Sequence, residues 1–304
     1  MTHFAQVDPS NYRSGFVAVV GRTNVGKSTL INTLLGRKAV ITSSKPQTTR
    51  NRIRCIWTTD DFQMIFVDTP GLHDSERLLN RRMTSYVHRA MADVDTVLCL
   101  FFGDRAFGRE DVDLLERLSR RPAPAVAAIN RVDVASAESV AAVRSELDGS
   151  GRFKHVLDIS ALTGLGLPAL VDSVVSLLPP GPQLYPPEMT TDQSEAFLVA
   201  ELVREKIFHF THQEIPFNAA VEVTEMRDTD KGVHIEATIN VARSSQKGII
   251  LGQSGRMIKR IGTEARRDIE GLLGCPVGLK LWVKERKDWP RKEQALRQLG
   301  YPKS

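Results

Sequence analysis

The stretch Gly21-Arg22-Thr23-Asn24-Val25-Gly26-Lys27-Ser28 decides the fold class. An apolar run at 16–20 that reads as a strand precedes it, and an apolar segment with helical character, 29–35, follows. Glycine at the first and sixth positions, then lysine and a hydroxyl residue, is the spacing of a P-loop. The glycines let the backbone curl so that consecutive amides point inward at phosphate oxygens, and the following helix adds its positive end. The phosphate cradle therefore spans Gly21, Asn24, Val25, Gly26, Lys27, Ser28 and Thr29. Lys27 faces the β- and γ-phosphates, and the Ser28 hydroxyl is offered to Mg²⁺.

Outward from this loop, residues 64–67, 97–102, 125–129 and 156–159 read as further strands, with helical stretches such as 109–120 and 137–147 between them. Such alternation predicts a mostly parallel sheet wrapped by helices on both faces, with ligands at the carboxyl ends of the strands. Two strand ends carry chemistry. Asp68-Thr69-Pro70-Gly71 offers a carboxylate that holds Mg²⁺ through its water shell and a Gly71 amide for the γ-phosphate. Asn130-Arg131-Val132-Asp133 offers a carboxylate that accepts hydrogen bonds from guanine N1–H and its 2-amino group, a donor pair adenine lacks.

The 304 residues carry 41 basic and 36 acidic side chains, net +5, and 41% are hydrophobic. That excludes a disordered or collagen-like chain, and the length predicts two cores rather than one. Cys55, Cys99 and Cys275 are too few and scattered for a disulfide framework or thiolate zinc site, and read as thiols in a reducing compartment. No apolar stretch is long enough to span a membrane, and residues 1–13 lack the apolar core of an export signal; the expectation is a cytoplasmic protein.

Pro179, Pro180, Pro182, Pro186 and Pro187 mark a stiff linker at 179–188, dividing an α/β domain, 1–178, from a smaller α+β domain, 189–304. Residues 181–242 are net −7 and residues 243–304 net +9, which predicts a polyanion-binding face in the last segment. The order expected there is a helix at 194–210, a hairpin whose turn falls at 227–232, a glycine loop, a basic helix and a final strand at 279–283. Gly252-Gln253-Ser254-Gly255 at the entry of the basic helix allows a nucleic-acid backbone to approach, as in a KH domain, with Lys247, Arg256 and Lys259 as cations beside it. Gly271-Leu272-Leu273-Gly274 repeats the spacing but sits at a helix end without flanking bases, where it suits a cap.

The P-loop, Asp68–Gly71 and Asn130–Asp133 in this order resemble the translation-factor-related GTPases. That resemblance implies that Ser160, Ala161 and Leu162 form the last guanine-contacting box. It also implies that the polar loop 45–50 supplies a second Mg²⁺ hydroxyl, from Thr48 or Thr49. Arg131 stands where that group has lysine, whose stem covers the base. Leu72 stands where many small GTPases place the glutamine that orients water, so slow intrinsic turnover is expected, with water positioned by another group (His73 and Asp74 lie nearby) or by a partner.

With the proline linker, the KH order and the basic tail bearing Trp282 and Trp289, the chain resembles the Era family along essentially its whole length. The resemblance implies a P-loop GTPase domain followed by a type II KH domain. It implies a GTP/GDP cycle with Mg²⁺, in which Lys27, Thr48, Thr49 and Gly71 act on the triphosphate. It further implies binding of small-subunit ribosomal RNA near its 3′ end, and a role in assembling the small ribosomal subunit. Gln253 and Ser254 replace the lysine or glycine usual in that family's loop. Two other readings remain: an RNA chaperone with a structural GDP site, and a GTPase held peripherally at the inner face of the cell membrane by its basic tail.

Overall fold

The computed structural model describes residues 12–43, 45, 48–51, 53–68, 93–119 and 123–301. They form two compact units. Strands and helices are numbered below among the described residues.

The described part of the first unit lies within 1–40, 49–74 and 83–192. Six strands build its sheet: β1 (Arg13–Gly21), β2 (Ile53–Thr58), β3 (Phe62–Asp68), β4 (Thr96–Phe102), β5 (Ala125–Asn130) and β6 (His155–Ile159). Their spatial order is β2-β3-β1-β4-β5-β6. All neighbours pair in parallel except β2 with β3, which is antiparallel.

The central strands are continuous apolar runs because both their faces are covered; every residue of β4 and β5 is buried. On one face, helices α2 (Arg109–Leu118) and α3 (Ala137–Gly149) press Leu114, Leu118, Val143 and Leu147 onto Ala18, Val20, Cys99 and Phe101. Helices α1 (Lys27–Leu35) and α4 (Leu167–Leu177) also pack on the sheet, burying Leu30, Ile31, Leu170 and Val174. The five strands expected from the sequence are all present, each a residue or more longer.

β2 was not expected. It is the last strand of the sheet and carries Arg54 near its start, so it shows no continuous apolar run. The proline-rich stretch lies along this unit: Pro179 O accepts from Ser14 N–H at 3.2 Å, Pro182 O from the Ser14 hydroxyl at 2.6 Å, and Thr190 O from Ile56 N–H at 2.9 Å.

The second unit takes in residues 41–48 and the chain from Gln193 onward. Helix α5 (Glu195–Phe210), capped by the Ser194 hydroxyl, leads to β7 (Ala219–Thr229) and β8 (Gly232–Val241). Then come α6 (Ser244–Leu251), α7 (Arg256–Leu273), β9 (Val277–Glu285) and α8 (Glu293–Gln298). β7 and β8 pair antiparallel, and β8 and β9 in parallel. Val203 and Ile207 of α5 meet Ile261, Ala265 and Ile269 of α7 over Ile235, Ala237 and Ile239 of β8.

Two local readings change. The hairpin strands run to Thr229 and resume at Gly232, so the turn is tighter than 227–232 because cross-strand pairing extends through Asp228 and Val233. Helix α6 was not expected, since Gly248 interrupts its short apolar pattern. The tail does not trail away. Trp289 is fully buried, stacks on Tyr301 at 5.8 Å and donates its indole N–H to Asn218 O at 2.8 Å.

Ile41, Thr42, Lys45 and Thr48 are fastened within this unit. Ile41 joins its core, and Thr42 N–H donates to Glu205 Oε1 at 2.9 Å. The Lys45 ammonium donates to the carbonyls of Phe208 and Thr211, closing the C-terminal end of α5. The Arg204 guanidinium, buried and paired with Glu201 (Nε to Oε1, 2.6 Å), donates to Thr48 O.

Candidate nucleotide site and nucleic-acid face

The P-loop leaves the C-terminal end of β1 and enters α1 at Lys27. Asn24 (φ 62°) and Gly26 (φ 110°) take left-handed backbone conformations that turn the loop. At Gly26 a side chain has no room: a Cβ there would stand 2.2 Å from Asn130 Nδ2. Lys27 is buried, and its ammonium donates to the carbonyls of Gly21 (3.0 Å) and Arg22 (2.9 Å). Burial pulls its pKa down to about 8, against the opposing pull of Asp68.

Asp68, at the C-terminal end of the neighbouring β3, is fully buried. Its Oδ2 accepts from the Ser28 hydroxyl at 3.2 Å and the Thr49 hydroxyl at 3.1 Å, and the two hydroxyls lie 3.2 Å apart. Two hydroxyls and one carboxylate converging on one point make an all-oxygen, hard donor set that fits Mg²⁺. Of the two threonines in the loop, the structure brings only Thr49 here. The Thr48 hydroxyl donates instead to Lys45 O at 2.8 Å, because Arg204 holds the Thr48 carbonyl within the second unit. Gly71, with Leu72, His73 and Asp74, lies outside the described residues.

On the other side of β1, Asn130 ends β5 and acts as a clasp. Its Nδ2 donates to Val25 O at 2.6 Å, and its Oδ1 accepts from Ala161 N–H at 2.9 Å. The P-loop and the loop after β6 are thereby fixed to one buried side chain. Ser160 is buried, and its hydroxyl accepts from Thr163 N–H at 3.2 Å; Thr33 Oγ1 of α1 adds a 2.6 Å bond to Ala161 O. Leu162 and Asp133 are exposed at the rim of the same end of the sheet.

At Arg131, where the resemblance implies a stem laid over the base, the backbone is left-handed (φ 71°) and the guanidinium is engaged by its neighbours. It donates to Asn24 O at 2.5 Å, meets Asp104 Oδ2 at 3.3 Å and lies over the Phe102 ring at 4.9 Å. Only the aliphatic stem remains for a base plane. Asp104 and Phe102 were missed in the sequence, although their place at the C-terminal end of a parallel strand was a signal that could have found them.

In the second unit, α6 ends at Gly252 (φ 69°, ψ 172°), a conformation open essentially to glycine alone. A Cβ at Gly252 would stand 2.6 Å from Met257 Cβ, whereas one at Gly255 (φ 76°) would meet nothing within 4 Å. Gln253 and Ser254 are exposed between them, Ser254 also with positive φ (52°). Lys247 and Lys259 are exposed beside the loop. Arg256 reaches back to the Gln253 side chain, which holds this cation against the loop. Gly274 closes α7 with φ 68°.

A family model described as a 50S ribosome-binding GTPase matches residues 16–131, and one described as a KH domain matches residues 214–290. GTPase Era of Alkaliphilus oremlandii is 44% identical over 292 residues, covering 95% of this chain and 99% of that protein. GTPase Era of Halothermothrix orenii is 43% identical, covering 96% and 99%. Among solved structures, Era of Aquifex aeolicus bound to GDP and AlF4⁻ superposes with a TM-score of 0.92 at 34% identity, over 95% of this chain and 99% of that one. An Era in complex with MgGDPNP and nucleotides 1506–1542 of 16S ribosomal RNA superposes with a TM-score of 0.92 at 34% identity, over 96% and 99%.

Proposed function

Because this chain belongs to the Era family of GTPases, we propose that it binds small-subunit ribosomal RNA near its 3′ end through the KH domain, and that its GTP cycle times a step in small-subunit assembly. The support for the RNA target is the Era complex with 16S ribosomal RNA together with the exposed Gly252–Gly255 loop and its cations. In this reading the cytoplasm is where the protein acts. Among the described residues, no helix is long and apolar enough to cross a membrane.

In the GTPase domain, the backbone from Gly21 through Thr29 cradles the phosphates, and Lys27 supplies a charge against the β- and γ-oxygens. Ser28, Thr49 and Asp68 would hold Mg²⁺, which would supply positive charge against the phosphates. Asn130 fixes the loop that carries Ala161, and the Asp133 carboxylate selects guanine. The single observation that carries the nucleotide assignment is the convergence of these groups at the C-terminal ends of β1, β3, β5 and β6.

Nucleotide state and RNA affinity are coupled, in this proposal, through the loop before β2. Thr48 and Thr49 are consecutive, yet one is bonded within the second unit and the other within the first. Thr49 would help to hold Mg²⁺ beside the triphosphate, so nucleotide state would act on the loop in which these two threonines are neighbours. The test is RNA affinity of the full chain with GDP and with a non-hydrolysable GTP analogue; equal affinities refute the coupling. Turnover by the purified protein, lost in Lys27→Ala and in Asp133→Asn, excludes a GDP site that is merely structural.

A further inference from the structure

The first unit carries a second depression, on α1 and α4 beside the β2–β3 turn. Its volume is about 520 Å³, within the range of ligand and peptide pockets. Leu34, Trp57, Phe62 and Val171 supply apolar lining, and Asp61 and Asp172 supply the ionised groups; among the described residues no lysine, arginine or histidine lines it. Trp57 is a preset anchor point. It meets Phe62 edge-on at 5.1 Å and stacks with Phe66 at 6.4 Å, so its position is fixed from two sides.

The apolar surface continues past the rim. Gly164 lines the groove, and the next residue, Leu165, is 59% exposed. Thr33, also in the lining, bonds Ala161 O at 2.6 Å and holds this loop against α1. A scattered exposed leucine needs no explanation, but one that adjoins an aromatic-lined groove extends an apolar surface of the kind that marks interaction sites.

Charge decides the occupant. The chain is net +5, yet both ionised side chains of this groove are carboxylates, and Asp60 adds a third exposed one on the same turn. A nucleic-acid backbone is repelled here. We propose that the groove docks a segment of a partner protein that inserts an aromatic or branched aliphatic side chain between Trp57 and Val171 and sets Lys or Arg against Asp61 and Asp172. Apolar anchor and rim charges then act together, the first holding the complex and the second steering it.

The experiment selects displayed random 12-residue peptides on the full chain with GDP, with counter-selection on a Leu34→Lys/Val171→Lys variant. Affinity of the enriched peptides is then measured by fluorescence anisotropy at two salt concentrations. The expected peptides carry an aromatic or branched aliphatic residue within a few positions of Lys or Arg. Their affinity falls about tenfold or more in Val171→Lys and several-fold in Asp61→Asn/Asp172→Asn, the latter loss shrinking at high salt. GTP turnover stays at the wild-type level in all variants. Should the lysine variants fail to fold, the Asp→Asn pair, exposed and outside the core, still decides. Enrichment of acidic peptides, no enrichment over the counter-selecting variant, or affinities indifferent to Asp61 and Asp172 overturns the proposal. So does a concentration-dependent dimer in light scattering that Val171→Lys abolishes, which would assign the groove to a second copy.

Discussion

Removing the Asn130 side chain tests whether one buried amide ties the phosphate loop to the guanine loop. The side chain is 2% exposed and makes two bonds, to Val25 O at 2.6 Å and from Ala161 N–H at 2.9 Å. Val25 and Ala161 are themselves buried, so Asn130→Ala leaves a carbonyl and an amide without their partner in a place water does not readily reach. An orphaned buried polar group costs about 1–3 kcal/mol, so the pair costs about 2–6 and a working value is about 3 kcal/mol. In a unit of this size, about 3 kcal/mol lowers the melting temperature by about 6–12 °C, read on nucleotide-free protein.

The remaining consequence is on binding. With the loop 160–162 no longer fixed, GDP affinity in a fluorescent-nucleotide titration falls by about a hundredfold if a similar energy is lost there, at 1.4 kcal/mol per power of ten. Asn130→Asp separates the two bonds. It keeps an acceptor for Ala161 N–H but turns an oxygen toward Val25 O, so it is expected to be at least as damaging as alanine despite its matched size. Were Asn130→Ala to melt within about 2 °C of wild type and bind GDP within about threefold, the clasp would carry no energy and the argument would fail.

Thr49→Ala is expected to raise the Mg²⁺ concentration needed for half-maximal GTP turnover by about tenfold, while Thr48→Ala leaves it within about twofold, because only Thr49 shares Asp68 with Ser28. GTP affinity falls with rising pH as Lys27, whose pKa burial lowers to about 8, loses its proton before the phosphates can hold it. Between pH 7 and 8.5 the charged fraction of the free protein drops about fourfold, and affinity follows; Lys27→Arg, charged throughout, flattens the profile. Gly252→Ala, with its Cβ 2.6 Å from Met257 Cβ, weakens RNA binding by about tenfold or more in a filter-binding assay, while Gly255→Ala, facing open space, weakens it less; neither alters GTP turnover.

What was legible in the sequence follows burial on two faces. β4 and β5 announced themselves as unbroken apolar runs because helices cover both sides of them. β2 did not, because a strand at the end of the sheet is less completely covered and tolerates Arg54 near its start. α6 was hidden for a different reason: eight residues with a central glycine have too weak a periodicity, and packing in the second unit supplies what propensity does not. The motif residues were legible because their roles are local, a glycine that must curl or a carboxylate at a strand end.

The choice between Thr48 and Thr49 belongs to another class. Both are threonines in a polar loop, and nothing within the loop distinguishes them. In the structure the Thr48 carbonyl is taken by Arg204, more than 150 residues away in sequence, and of the two hydroxyls only that of Thr49 reaches Asp68. Arg131 makes the same point about a substituted motif. Read as a replacement for lysine, it is a side chain laid over the base plane. In the structure its charge is committed to Asn24 O, Asp104 and the Phe102 ring, leaving only methylenes for the base. In the proposed reading guanine selectivity rests on Asp133 rather than on residue 131, so Arg131→Lys is expected to alter nucleotide affinity, through the lost tie to Asn24, without altering the preference of guanine over adenine.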